Sequence, residues 1–181
     1  MSEKLTVGPH NGELILRTGV AGPAAKAGHR LTISFESWSG STTLIGGAPS
    51  TVMLSIVVDS LTVLRGEGGV TPLTGAEKVV ARSNALKTLQ AKKFREIAYV
   101  GDSVEPIDGG YLVSGQLAIC GRTVDQSIGI DASQADAIWS LSAASVIRHS
   151  DVGLKPFSLM MGTLKVADEV ELGFRAELSR D

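Results

Sequence analysis

The C-terminal segment narrows the choice of fold more than any other. Val170, Leu172, Phe174, Ala176 and Leu178 alternate without a break against Glu169, Glu171, Gly173, Arg175 and Glu177. Successive side chains of a strand point to opposite faces, so a period of two describes a strand with one apolar face and one wet face. The same pattern recurs along the chain. Leu31, Ile33 and Phe35 alternate with Thr32, Ser34 and Glu36; Tyr111, Val113, Leu117 and Ile119 alternate with Leu112, Ser114, Gln116 and Ala118. Val124, Ile128 and Ile130 resume the pattern, and Trp139, Leu141, Ala143, Ser145 and Ile147 form a further run. Glu13 to Thr18, Gly40 to Ile45 and Ile97 to Glu105 also read as strands. From Val52 to Leu64 the apolar residues shift from even to odd positions. That change of phase predicts a bulge near Asp59-Ser60, or burial on both faces.

The connections fit short antiparallel turns. Gly accounts for 21 of the 181 residues, well above the usual ~7%. Asp108-Gly109-Gly110 supplies the residues of a tight hairpin, Cys120-Gly121-Arg122 turns the chain, and Gly46-Gly47-Ala48-Pro49 closes a strand. One stretch departs from the period of two. Thr74-Gly75-Ala76-Glu77 has the spacing of a capping box, and a helix is predicted from about Ala76 to Gln90. Its apolar face is read as Val79, Leu86 and Leu89, with Ser83 on the same side. The chain therefore reads as all-β, an antiparallel barrel or sandwich of about eight strands. A single helix at about residues 75–90 lies across one end. One domain spans 1–181, with residues 1–10 as a loose lead-in.

Composition sharpens this and excludes several classes of function. Aromatic residues are only 4%, so small aliphatic side chains must fill the interior, or else leave its middle incompletely filled. A barrel of this strand number just holds one small ligand. The net charge of −2 gives no bulk attraction to phosphate backbones, so no nucleic-acid partner is expected. One Cys excludes an intrachain disulfide and a thiolate zinc cluster. Three His, at 10, 29 and 149, do not make a dense metal site. The N-terminus lacks an apolar signal region, and Val52 to Val58 is far short of the ~20 residues a membrane span needs. The sequence predicts a cytoplasmic protein with no integral membrane segment, no metal and no cofactor.

Few residues suggest chemistry. His29 has no polar partner nearby in sequence and reads as a residue that ties its loop down through a backbone hydrogen bond. His149 sits in a turn, Arg148-His149-Ser150-Asp151; groups this close along one segment do not make a hydrolase triad, whose members converge from different elements. Cys120 reads as a small residue at a turn, with nothing to activate a thiolate. Gly66-Glu67-Gly68-Gly69 lacks the Lys and Ser/Thr of a phosphate loop. Lys92, Lys93 and Arg95 suit the C-terminal dipole of the helix, or else Lys92 and Arg95 contact an anionic headgroup at the barrel mouth. Phe94, Phe157, Met160 and Met161 suit an adaptable apolar surface, because Met is flexible and polarisable. The candidate tunnel lining comprises Phe35, Leu86, Leu89, Phe94, Tyr99, Leu117, Ile119, Phe157, Met160, Met161 and Leu164. Trp38 and Trp139 fit either face of their strands.

Taken in order, Arg17 to Gly22, Ala25 to His29, Val58 to Leu61, Gly115 to Thr123, Gly153 to Ser158 and Gly162 to Val170 resemble the YceI-like family of bacterial polyisoprenoid-binding proteins. Arg17-Thr18-Gly19-Val20-Ala21-Gly22 with Ala25-Lys26-Ala27-Gly28-His29 is similar to the family's opening. Val58-Asp59-Ser60-Leu61 and the run from Gly115 to Thr123 are similar to later family segments. The most specific blocks are Gly153-Leu154-Lys155-Pro156-Phe157-Ser158 and the run from Gly162 to Val170. The resemblance extends from about Gly12 to Leu178. Departures stand at Cys120, where His is common; at Arg95, where Pro is usual; at Val152, where Trp is usual; and at Arg30, where Asp is common. The resemblance implies a lipocalin-like barrel with a helix at one end and a hydrophobic tunnel holding a long isoprenoid or other amphiphile.

Three functions are consistent with these readings. The first is non-enzymatic binding, transport or storage of a long-chain amphiphilic lipid, polyisoprenoid or quinone-like. The second is an isomerase or hydrolase acting on a hydrophobic substrate inside the barrel. The third is a structural or interaction module with a solid core. A homodimer that covers exposed edges or the open end fits any of them.

Overall fold

The computed structural model describes residues 1–179. Twelve strand segments form one antiparallel sheet. They are β1 (Ser2–Val7), β2 (Gly12–Ala21), β3 (His29–Phe35), β4 (Trp38–Ile45), β5 (Ala48–Val57), β6 (Leu61–Gly68), β7 (Glu96–Ile107), β8 (Gly110–Ile119), β9 (Arg122–Ala135), β10 (Ile138–Arg148), β11 (Ser158–Leu159) and β12 (Leu164–Ser179). Among the described residues the one α-helix, α1 (Gly75–Thr88), lies between β6 and β7.

With the edge strand β1 and the two-residue β11 set aside, ten segments remain, and they count as eight around the wall because β3–β4 and β5–β6 are each one bent strand. β3 pairs with β6, and β4 pairs with β5. At the corner between the halves, Glu36 N–H donates to Ser60 O (3.1 Å) and Val57 N–H donates to Ser37 O (3.0 Å). The ribbon thus stays hydrogen-bonded while it changes direction. Its first strand joins β2 through β3, and its second joins β7 through β5. The ladders β7–β8–β9–β10–β12–β2 complete the ring. An antiparallel barrel results, one of the two architectures the alternation allows, built from more strand segments than the about eight it predicts. The phase change after Val58 is this corner: Val58–Ser60 form a single 3-10 turn, and the Val58 N–H donates to Arg95 O (3.0 Å).

Two expectations need correction. The first ten residues are not a loose lead-in: β1 adds to the edge of β4 over its whole length, from Ser2↔Ile45 to Val7↔Gly40. Leu5 and Val7 share the period of two, and the free edge of β4 supplies the partner. The helix face agrees with the one read at Leu86 and Leu89 and differs at Val79. Val79 is 70% exposed, whereas Ala81, Ala85, Leu86 and Leu89 pack toward the barrel. The larger side chain at 79 misled the choice of face.

The ends of the helix follow from local chemistry. Glu77 N–H donates to Thr74 Oγ1 (3.2 Å) and Thr74 N–H donates to Glu77 Oε2 (2.7 Å), completing the capping box. At the other end Gln90 takes φ 50°. Gln90 N–H then reaches Lys87 O (3.0 Å) and Ala91 N–H reaches Leu86 O (3.0 Å), the pair of bonds that closes a Schellman motif. Arg82 Nε donates to Leu61 O (2.8 Å), tying the helix to β6.

Inside the ring, Leu14, Val58, Leu61 and Val113 are each 1% exposed. Trp38 meets Phe174 edge to face, with ring centroids 5.8 Å apart at 76°. The rings are placed where glycine leaves room: a Cβ at Gly12 would lie 3.0 Å from Trp38 Cη2.

Glycines in the wall differ in what they permit. A Cβ at Gly115 would land on the Val100 carbonyl of the neighbouring strand, whereas one at Gly129 would meet nothing within 4 Å. Gly115→Ala is expected to lose at least ~2 kcal/mol of stability, as overpacked sites do. Gly129→Ala is expected to gain ~0.5 kcal/mol by shedding the glycine's extra unfolded-state freedom. Urea unfolding of the two variants checks this; equal midpoints would contradict the packing described.

Candidate ligand-binding cavity

The inward positions of the strands and the inner face of α1 enclose a cavity of about 640 Å³. Its wall is built by parity. β3 contributes Leu31, Ile33 and Phe35; β7 contributes Ile97 and Tyr99; β8 contributes Leu117 and Ile119; β12 contributes Leu164, Val166, Val170 and Leu172. The helix contributes residues from Ala76 to Thr88, with Glu77, Ala81 and Ala85 in line at a spacing of four, and Leu89 follows at its C-cap. Alanine at the two middle positions brings the helix backbone close while leaving the space beneath it unfilled. A second cavity of about 190 Å³ lies toward β1, β4 and β5, with Trp139 and Phe174 in its wall. The interior of the barrel is therefore hollow.

Of the residues picked out from the sequence, Phe35, Leu89, Tyr99, Leu117, Ile119, Phe157 and Leu164 stand in the wall of the large cavity. The other lining candidates do not. Leu86 packs against the core beside the cavity. Phe94 is turned to the Cys120-Gly121 turn, where a Cβ on Gly121 would lie 2.9 Å from its ring, and Lys93 Nζ sits 5.1 Å from the ring centroid. Met160 and Met161 are 70% and 104% exposed. Both take positive φ (51° and 59°) in the turn between β11 and β12, which aims them at solvent. The two headgroup candidates, Lys92 and Arg95, are also outside the wall; the Arg95 carbonyl instead accepts from Val58 N–H at the corner. The cation that does stand in the wall is Lys165, on β12, a position the charge pattern did not distinguish from other outward lysines.

The remaining polar groups are mostly committed to structure. His29 Nε2 lies 2.7 Å from Thr71 O and so donates to it, tying β3 to the segment before the helix. His149 directs both its backbone N–H (2.9 Å) and Nδ1 (2.8 Å) to Asp168 O. The Asp168 carboxylate accepts from Ser150 Oγ (2.6 Å) and Ser150 N–H (2.9 Å), which holds its pKa below the ordinary value. Ser150 and Asp168 thus close one turn; His149 stands in the cavity wall but spends its Nδ1 on that same turn. Cys120 Sγ donates to Leu89 O (3.0 Å), and burial pushes its thiol up, away from thiolate. Among the described residues no group of three His, Cys, Asp or Glu is placed to hold a metal ion. No described helix is long and apolar enough to cross a membrane.

No family model matches the sequence, and no curated protein matches it. Solved structures do. BcnA of Burkholderia cenocepacia superposes with a TM-score of 0.69 at 15% identity, over 93% of this chain and 96% of that one. The YceI protein of Campylobacter jejuni superposes with a TM-score of 0.63 at 14% identity, over 82% of this chain and 84% of that one. At such identities the likeness is one of fold, and it extends over nearly the whole barrel.

The helix that roofs the cavity carries a built-in acid dependence. The Thr74 backbone N–H, and then the Thr74 hydroxyl, hold the Glu77 carboxyl below its ordinary value of 4.5. A lowered folded-state pKa contributes stability that is present above 4.5 and is lost as pH falls through the lower value. Thermal midpoints measured down the acid limb are expected to fall less steeply for Glu77→Gln than for the wild type, since glutamine keeps the cap without the charge. Parallel acid limbs would contradict this.

Proposed function

We propose that this chain, built on the fold of the YceI proteins, binds one long-chain amphiphile inside its barrel and carries out no chemistry on it. The observation that carries the reading is the cavity itself: about 640 Å³ with a wall that is mostly apolar. Four of its polar side chains, His29, Glu77, Asn84 and Lys165, come from the helix and the starts of β3 and β12. A polar head belongs at that end, with the tail directed toward Tyr99. A polyisoprenoid or quinone-like molecule has this shape. The cavity also weighs against a solid structural module, because native cores leave few voids larger than a water.

Magnitudes favour the tail over the head. Each buried methylene is worth ~0.8 kcal/mol, so a five-carbon isoprene unit approaches ~4 kcal/mol before costs. A headgroup hydrogen bond adds ~1 kcal/mol. Affinity then rises with tail length, and discrimination among headgroups is weak. The role that fits is that of a carrier or store.

Organic extraction of the purified protein, followed by mass spectrometry, tests the reading. A stoichiometric long-chain amphiphile is expected, with an identity that follows the expression host. Empty extracts from several hosts, together with no uptake of added polyprenol, would overturn it.

A further inference from the structure

The two cavities meet at four side chains that stand in the walls of both: Leu54, Tyr99, Ile128 and Leu172. They come from β5, β7, β9 and β12. Leu54 and Tyr99 are direct cross-strand partners, and the other two approach from elsewhere on the ring. Together they form a waist between a compartment of about 640 Å³ and one of about 190 Å³.

Tyr99 is the bulky member of the waist, and it is fixed. It is 4% exposed. Its hydroxyl lies 2.9 Å from Gln126 O and 3.3 Å from Val113 O, so the O–H donates into the backbone of β9 and β8 rather than toward a guest. A Cβ at Gly101 would collide with Val113 Cγ1 and lie 3.3 Å from the Tyr99 Cε1, so glycine there leaves both side chains in place. Burial, with a further contribution from the Asp102 charge, keeps the phenol neutral and donating. Turning the ring aside would leave buried carbonyls without their donor.

We infer that Tyr99 is a length ruler: its ring closes the inner compartment to the tail of a guest and sets the longest chain the barrel accepts. The inference rests on the amphiphile-binding reading. A guest whose head lies among His29, Glu77 and Lys165 extends its tail toward the waist. Methylenes on the near side are removed from water, whereas those in excess of the space are left exposed and gain nothing. Opening the waist would add about 190 Å³ to about 640 Å³, an increase of roughly 30%.

The test loads the purified full chain from an equimolar ladder of linear polyprenols of rising isoprene number and reads the bound species by native mass spectrometry. The wild type is expected to show a sharp upper cut-off in length. Tyr99→Ala is expected to move that cut-off upward by at least one isoprene unit. Adding Ala143→Phe, which fills the inner compartment, is expected to take that gain back. An unchanged cut-off in Tyr99→Ala, with the wild type still loading, overturns the ruler and leaves the binding reading standing. A wild type that takes up no polyprenol overturns both. If Tyr99→Ala does not fold, as judged by circular dichroism, Leu172→Ala opens the same waist from the opposite wall, and the same criterion applies to it.

Discussion

An eight-stranded ring encloses a cross-section fixed by strand number and tilt, and only inward side chains can fill it. This chain places leucine, isoleucine and valine at most inward positions and puts two of its helix alanines, Ala81 and Ala85, over the end of the ring. With aromatics at 4% of the sequence, those side chains do not reach the centre. The space left over is the dominant physical fact about the molecule. The hydrogen-bonded wall can tolerate it, because each strand is held by two neighbours whether or not the middle is occupied.

The wall and the hollow depend on the bent ribbon. β3–β4 and β5–β6 each change direction without losing their pairing, and that corner lets one ribbon meet β2 at one height and β7 at another. The same corner anchors the roof. Arg82 of α1 donates to Leu61 O just past the turn, and Val58 N–H donates to the Arg95 carbonyl just past the helix. Thus the segment with the irregular alternation in sequence is the one that closes the barrel and seats the helix over the cavity.

Much of this was legible in advance, for identifiable reasons. Period-two alternation is a direct imprint of a one-sided sheet, so the β12 residues Val170 to Leu178 declared both strand and inward face. Thr74 and Glu77 declared the start of the helix because capping is local chemistry. The end of the helix was less visible, since Gln90 adopts the left-handed conformation usually given to glycine. The helix face was misread at Val79 because the wall is built there by alanine, and a search for large apolar residues passes over it. Met160 and Met161 have the flexibility of a lining residue, yet their turn points them outward; side-chain character carries no information about where a turn aims. Lys92 and Arg95 have the charge of a headgroup contact but sit outside the wall, while Lys165 has the position without any distinguishing neighbour. The waist at Tyr99 could not be read at all, because it depends on four strands arriving at one level of the ring.

The central claim is that a guest completes the packing of this barrel. The most direct measurement is an experimental electron-density map of protein purified without organic solvent. The account predicts continuous tubular density beneath Ala81 and Ala85, running through the large cavity to the ring of Tyr99. A map in which the wall has drawn in and side chains fill that space, with no density for a guest, would contradict it.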